Sequence, residues 1–133
     1  MFFQSPFQAE LFSKNKHIYV DGTFYIAPIL PIFSYQVFIT RTYATELNCF
    51  YTTSFSILKI KKQTTYEILF EEIKKNSSKY NSIEITPKIF HCDFEKAVSN
   101  AAQKIFINAN IKYCIWHFKR ALEIKKKNYV VIK

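Results

Sequence analysis

Glycine is nearly missing from this chain: Gly22 is the one glycine in 133 residues. No glycine-rich linker, low-complexity segment or internal repeat divides the sequence. Cysteine is scarce and odd in number. Cys49, Cys92 and Cys114 lie far apart, which argues against a disulfide framework and for a reducing compartment. No apolar run reaches the ~20 residues that cross a bilayer, so no membrane partner is expected. The opening, MFFQSPFQAELF, is apolar but has no basic start and carries Gln and Glu. It does not read as a secretory signal. The expected setting is nuclear or otherwise intracellular, not secreted. Acidic side chains are few as well, 10 against 19 Lys and Arg, which leaves a net charge of +9. That excess favours anionic partners, nucleic acid first.

Apolar residues are abundant, at 49%, and aromatics reach 18%, with 14 Phe and 9 Tyr. A chain of this length fits one domain with a packed core. The richness in Lys, Asn, Ile, Tyr and Phe follows as readily from AT-rich coding DNA as from function. The run KRALEIKKK at 119–127 reads first as a solvated helix face.

Periodicity sets the order of elements. Residues 17–27, HIYVDGTFYIA, read as a strand, with Asp21-Gly22 in its middle. The same dipeptide is also a two-residue hairpin signal. PILP at 28–31 breaks the pattern. Strands follow at 33–41 and 47–58, which together suggest an antiparallel meander. The period then changes. Tyr66, Leu69, Phe70 and Ile73 share one face of a helix over 64–75, with Thr64 or Thr65 as its cap. Residues 76–81 are polar and read as a loop. A strand at 83–92, a helix at 94–106, a strand at 111–116 and a helix at 117–127 complete the chain. The order β-β-β-α-β-α-β-α predicts an α/β fold with a mixed five-stranded sheet flanked by helices, as in RNase H-like domains. Residues 1–16 read as an N-terminal extension, 17–127 as the core, and 128–133 as a tail.

Two carboxylates stand out in that order. Asp21 lies within the first predicted strand and Asp93 at the end of the fourth. In an RNase H-like sheet those strands are neighbours. Adjacent carboxylates repel unless a cation lies between them. Oxygen ligands suit Mg2+ or Mn2+, and such ions can activate a water or a 3′-hydroxyl for phosphodiester chemistry. Two plainer readings stand beside this one. Asp93 can cap the helix that follows, and Asp21 can be a turn residue.

Five stretches, taken together, carry a resemblance. They are VDGTF at 20–24 followed by AP at 27–28, YQVFIT at 35–40, TTYEILFEEIKK at 64–75, DFEKA at 93–97 and CIWHFKRAL at 114–122. In this order the chain resembles the catalytic domain of MULE (Mutator-like element) transposases, of the DDE superfamily, over roughly residues 11 to 127. The resemblance implies that Asp21 and Asp93 are the first and second catalytic, metal-holding acids. It implies Mg2+ or Mn2+ as cofactor and DNA, at terminal inverted repeats, as partner. Cys114 and His117 match a Cys-x-x-His motif of unassigned role. As zinc ligands they would make only half a site, so zinc is not expected within this chain.

The third acid is where the sequence departs from the family. In the family it is a glutamate beyond a long helical insertion. This chain stops near where that insertion would begin, so the expectation is a truncated core, incomplete at the C-terminus and inactive alone. Glu123, on the last predicted helix, is the only nearby substitute and does not match the family's position. Glu95, two residues past Asp93, reads as a helix-dipole residue. Two other functions remain in view: a non-catalytic basic nucleic-acid-binding remnant, and a compact RNase H-like nuclease using Asp21, Asp93 and Glu123. Missing helices would leave apolar surface bare, so self-association is expected of the chain alone.

Overall fold

The computed structural model describes residues 1–23, 36–82, 84–93, 95–114 and 122–123. The elements are β1 (Phe2–Phe3), α1 (Pro6–Lys14), β2 (His17–Thr23), β3 (Gln36–Ala44), β4 (Cys49–Leu58), α2 (Gln63–Asn81), β5 (Ile89–Cys92), α3 (Lys96–Ile105) and β6 (Asn110–Tyr113). The strands form one mixed sheet in the order β1-β4-β3-β2-β5-β6. β2, β3 and β4 are the expected antiparallel meander. β2–β5 and β5–β6 are parallel, and parallel neighbours need a crossover. α2 and α3 lie in those connections.

The hairpin reading of Asp21-Gly22 fails. β2 runs straight through the dipeptide, pairing Asp21 with Ile39 and Gly22 with Phe38. The true hairpin lies between β3 and β4. There Asn48 takes a left-handed conformation, φ 52, which asparagine tolerates better than most residues. The Tyr43 hydroxyl donates to Asn48 Oδ1 at 2.6 Å.

The sheet has six strands, not five. The extra strand is β1, antiparallel to β4 with Phe2 opposite Ser56. Met1 and Ile57 exchange hydrogen bonds at its start. Two residues are too few to show a period, so pattern reading could not find it. α1 follows from a local signal. Ser5 and Gln8 form a reciprocal capping box, with Pro6 in the first turn. The β3–β4 ladder slips between Thr40 and Arg41. The Gln4 and Gln8 side chains donate to the carbonyls of Thr53 and Thr52 beside that irregularity. The first 14 residues are thus built into the same body as the sheet.

α2 also departs from expectation. It begins after Lys62, with no side-chain cap from either threonine, and runs through 76–81 to a left-handed Ser82. The polar tail stays helical because its inner side still packs: Ser77 is fully buried one turn after Ile73. β5 and β6 are shorter than expected. The predicted helix at 117–127 and tail at 128–133 lie outside the described residues, apart from helical Leu122 and Glu123.

One core holds these elements. Ile18, Val20, Phe38 and Phe90 from the sheet meet Phe12 of α1, Tyr66, Leu69, Phe70 and Ile73 of α2, and Val98, Ala101 and Ala102 of α3. Phe70 packs edge-on against Phe90 at 5.3 Å and against Phe106 at 5.6 Å. Each fully buried side chain of this size contributes about 1.5–3 kcal/mol. α1, α2 and α3 therefore cover one face of the sheet. Strand alternation sends His17, Tyr19 and Asp21 to the other face.

Candidate active site at the end of two parallel strands

β2 and β5 run side by side in parallel, with His17 opposite Ile89, Ile18 opposite Phe90 and Tyr19 opposite His91. β5 ends at Cys92, and Asp93 is the next residue. The ladder stops at Tyr19 and His91, so Asp21 and Asp93 each stand two residues past the last paired position, at the carboxyl end of the shared stretch. Asp21 is exposed. No hydrogen bond or ion pair engages its carboxylate among the described residues. Asp93 is half-buried. Its Oδ1 accepts the Glu95 backbone N–H at 3.1 Å, an Asx-type turn that leads the chain toward α3. Asp93 therefore shapes the approach to the helix but does not cap it. The cap position belongs to Glu95, whose side chain bonds no helix N–H.

Glu95 is engaged elsewhere. Its Oε1 lies 3.0 Å from the Tyr66 hydroxyl, which is also 3.0 Å from Gln36 Oε1. One hydroxyl proton is shared between two acceptors, and the carboxylate is the stronger of the two. Burial, first, and then the Glu95 charge raise the Tyr66 pKa well above the usual phenol range. The phenol stays protonated and can only donate to Glu95. The Gln36 carboxamide fills the space above Gly22, where an added Cβ would overlap it. A partly buried chain of contacts thus runs from Gly22, next to Asp21, through Gln36, Tyr66 and Glu95, to Asp93. Sequence reasoning placed Tyr66 in the core and Glu95 at a dipole, and it missed this link. The available signal was a tyrosine on an apolar helix face, whose hydroxyl must find a partner when buried.

On the opposite face lies a groove of about 590 Å³ lined by Tyr19, Asp21, Arg41, Phe50, His91 and Lys112, among others. Tyr19 stacks on His91 with ring centroids 4.2 Å apart and meets Phe50 edge-on at 5.1 Å. The Arg41 guanidinium lies 5.8 Å from the Phe50 ring centre. Burial, helped by His17 and Lys112, lowers the pKa of His91.

Cys114 also lines the groove, and its N–H donates to the Cys92 carbonyl at 2.7 Å. Cys92 is buried. That burial, with smaller contributions from Asp93 and Glu95, pushes its thiol up to about 12. His117, the other half of the Cys-x-x-His motif, lies outside the described residues. Glu123 is exposed and helical. Among the described residues no three His, Cys, Asp or Glu side chains are grouped to hold a metal ion. Asp21 and Asp93 are the candidate carboxylates, and no third acid is grouped with them among the described residues. No helix among the described residues is long and apolar enough to cross a membrane.

A family model, the MULE transposase domain, matches residues 17–121. No curated protein and no solved structure matches the chain. The family match covers most of the chain, including β2 through β6 and both aspartates: the chain belongs to the MULE transposase domain family.

Proposed function

We propose that this member of the MULE transposase family supplies the first two carboxylates of a DDE active site, Asp21 and Asp93, for metal-dependent DNA cleavage and strand transfer. The observation that carries the reading is the shared register of β2 and β5. It supports a meeting of two acids from distant parts of the sequence, each two residues past the last paired position at one end of two parallel strands. That end is also where the sheet's connections change direction, β2 leading to β3 and β5 to β6. Ligands of open α/β sheets gather outside the carboxyl ends of strands at such a point. The neighbouring first and fourth strands of the β2–β6 portion support the RNase H-like reading, with β1 as an addition at the β4 edge.

The donor set fits the expected cation. Asp21 offers a carboxylate engaged by no described partner, and Asp93 keeps Oδ2 outside its turn. Hard oxygen ligands of this kind suit Mg2+ or Mn2+. Bound there, the ion would polarise phosphate oxygens and activate a hydroxyl or water. The protein's own part is positional. β2 and β5 carry the two carboxylates near one end of their shared ladder, the Asx-type turn fixes one Asp93 oxygen, and Tyr66 anchors the segment behind it through Glu95. Arg41 and Lys112 in the groove supply positive charge for the phosphate backbone. A complete DDE site needs a third acid, and nothing supports Glu123 in that place.

Mn2+ binding by the full chain, followed by electron paramagnetic resonance, tests the acid pair. Asp21→Asn and Asp93→Asn should each weaken binding at least tenfold. Unchanged retention of Mn2+ in both would sink the assignment. A second reading rests on Arg41 and Lys112 alone: a basic DNA-binding domain without catalysis. It requires DNA retention that ignores metal and both aspartates and falls linearly in log K with log salt. Nicking of supercoiled DNA in Mn2+ that disappears in both variants decides against it.

A further inference from the structure

The catalytic reading leaves one pair of metal-competent side chains unused. His17 starts β2 and His91 lies within β5, and His17 Nδ1 stands 3.2 Å from His91 Nε2. The rings meet edge to edge in nearly parallel planes, with centroids 5.5 Å apart and an interplanar angle of 22°. The His91 ring is held in place. Tyr19 lies flat against His91, with an interplanar angle of 7°. The Thr42 hydroxyl donates to the His17 carbonyl at 3.1 Å and pins the backbone there. His17 is exposed, so solvent reaches the pair.

We propose that His17 and His91 form a two-imidazole chelate for a late first-row divalent cation, Zn2+ or Cu2+, separate from the Asp21–Asp93 pair. The separation suits two ligands on one ion, reached when the exposed His17 ring turns so that both lone pairs converge. Metal–imidazole bonds of about 2.0–2.1 Å, set about 90–110° apart, put their nitrogens roughly 2.9–3.4 Å from each other. The observed separation falls inside that range. Imidazole nitrogens select zinc and copper over magnesium and manganese, which take oxygen. The pair therefore discriminates against the ion expected at the two aspartates.

Without metal, the same contact is an N–H···N hydrogen bond in which one neutral imidazole donates. On binding, the donor ring moves that proton to its other nitrogen, so both facing nitrogens present lone pairs. No redox change occurs and no further reactant is needed. The described residues supply no third ligand, so water fills the remaining positions and exchanges freely. Such a site binds more weakly than a four-ligand structural centre. It ties β2 to β5 one step below the carboxylates and would stiffen the seam on which they stand.

The test titrates the full chain with Zn2+ by calorimetry and with Cu2+ by electron paramagnetic resonance. The wild-type Cu2+ spectrum should show two equatorial imidazole nitrogens, a readout that needs no variant. His17→Ala and His91→Ala should each lower Zn2+ affinity at least tenfold, while Asp21→Asn and His117→Ala leave it within twofold. If His91→Ala does not fold for want of its ring against Tyr19, His91→Phe keeps the ring and removes the nitrogen. The proposal is overturned if the wild-type protein binds neither ion, if His17→Ala binds Zn2+ as tightly as wild type, or if His117→Ala is the variant that loses binding. A loss confined to Asp21→Asn would overturn it too, since the zinc would then belong to the acid pair.

Discussion

The Tyr66 hydroxyl, at the buried centre of the core, lies 3.0 Å from the carboxylate of Glu95, a residue only two positions beyond Asp93. A helix from the middle of the sequence thereby reaches the loop that carries one half of the candidate site. The bond is aimed inward, so its loss should be felt in stability as well as in position.

Tyr66→Phe removes the hydroxyl and leaves the Gln36 and Glu95 oxygens without their buried donor. Losing such a partner costs about 1–3 kcal/mol. Urea unfolding should show that loss as a lower midpoint at constant slope. A midpoint equal to wild type would mean the hydroxyl carries no weight in the core.

Gly22→Ala places a methyl group where the Gln36 carboxamide sits. Gln36 is buried and bonded to Tyr66, so it cannot simply swing away. Overpacking of this kind costs about 1–3 kcal/mol. Shortening the obstacle should give some of it back, so Gly22→Ala with Gln36→Ala should lose less than the sum of the single changes. Strict additivity in a double-mutant cycle would refute the steric account.

Asp93 has two roles that separate by substitution. Asp93→Asn keeps an oxygen for the Glu95 N–H, so stability should stay within about 0.5 kcal/mol of wild type while Mn2+ affinity falls. Asp93→Ala should lose the metal and, in addition, about 0.5–1.5 kcal/mol from the missing hydrogen bond. Equal thermal melts for the Ala and Asn variants would show that the turn adds nothing.

Cys92 makes an alkaline prediction. Its thiol keeps its proton in the folded state up to about 12, against an ordinary value of 9.0. Between those values the unfolded chain has lost a proton that the folded chain still holds. Stability must therefore fall as pH rises through that window. Cys92→Ala should flatten the fall, and a pH profile unchanged by the substitution would refute it. At neutral pH the same burial should leave Cys92 the slowest thiol toward iodoacetamide and exposed Cys49 the faster.

The meander, the helical face of Tyr66, Leu69, Phe70 and Ile73, and the position of both aspartates were legible because each rests on local periodicity. β1 was not legible, since two residues have no period and only the β4 edge makes them a strand. Residues 76–81 were misread because their composition is polar, whereas one buried serine suffices to keep the turn packed. The His17–His91 contact was invisible for another reason. Its partners lie on different strands, and nothing in either neighbourhood announces the other until the register is known.

β2 pairs with β3 in an antiparallel sense and with β5 in a parallel one, and this asymmetry bears on how the molecule assembles. β3 and β4 meet through a short hairpin, whereas β5 reaches β2 only after the whole meander and α2 have been passed. Contacts between distant segments carry a larger closure cost and form later. The amides of β3 and β4 should gain protection from hydrogen exchange before those of β5 in a refolding pulse. On that order, β5 with His91, and the turn at Asp93 that follows it, joins the strand of His17 and Asp21 only when folding is nearly done.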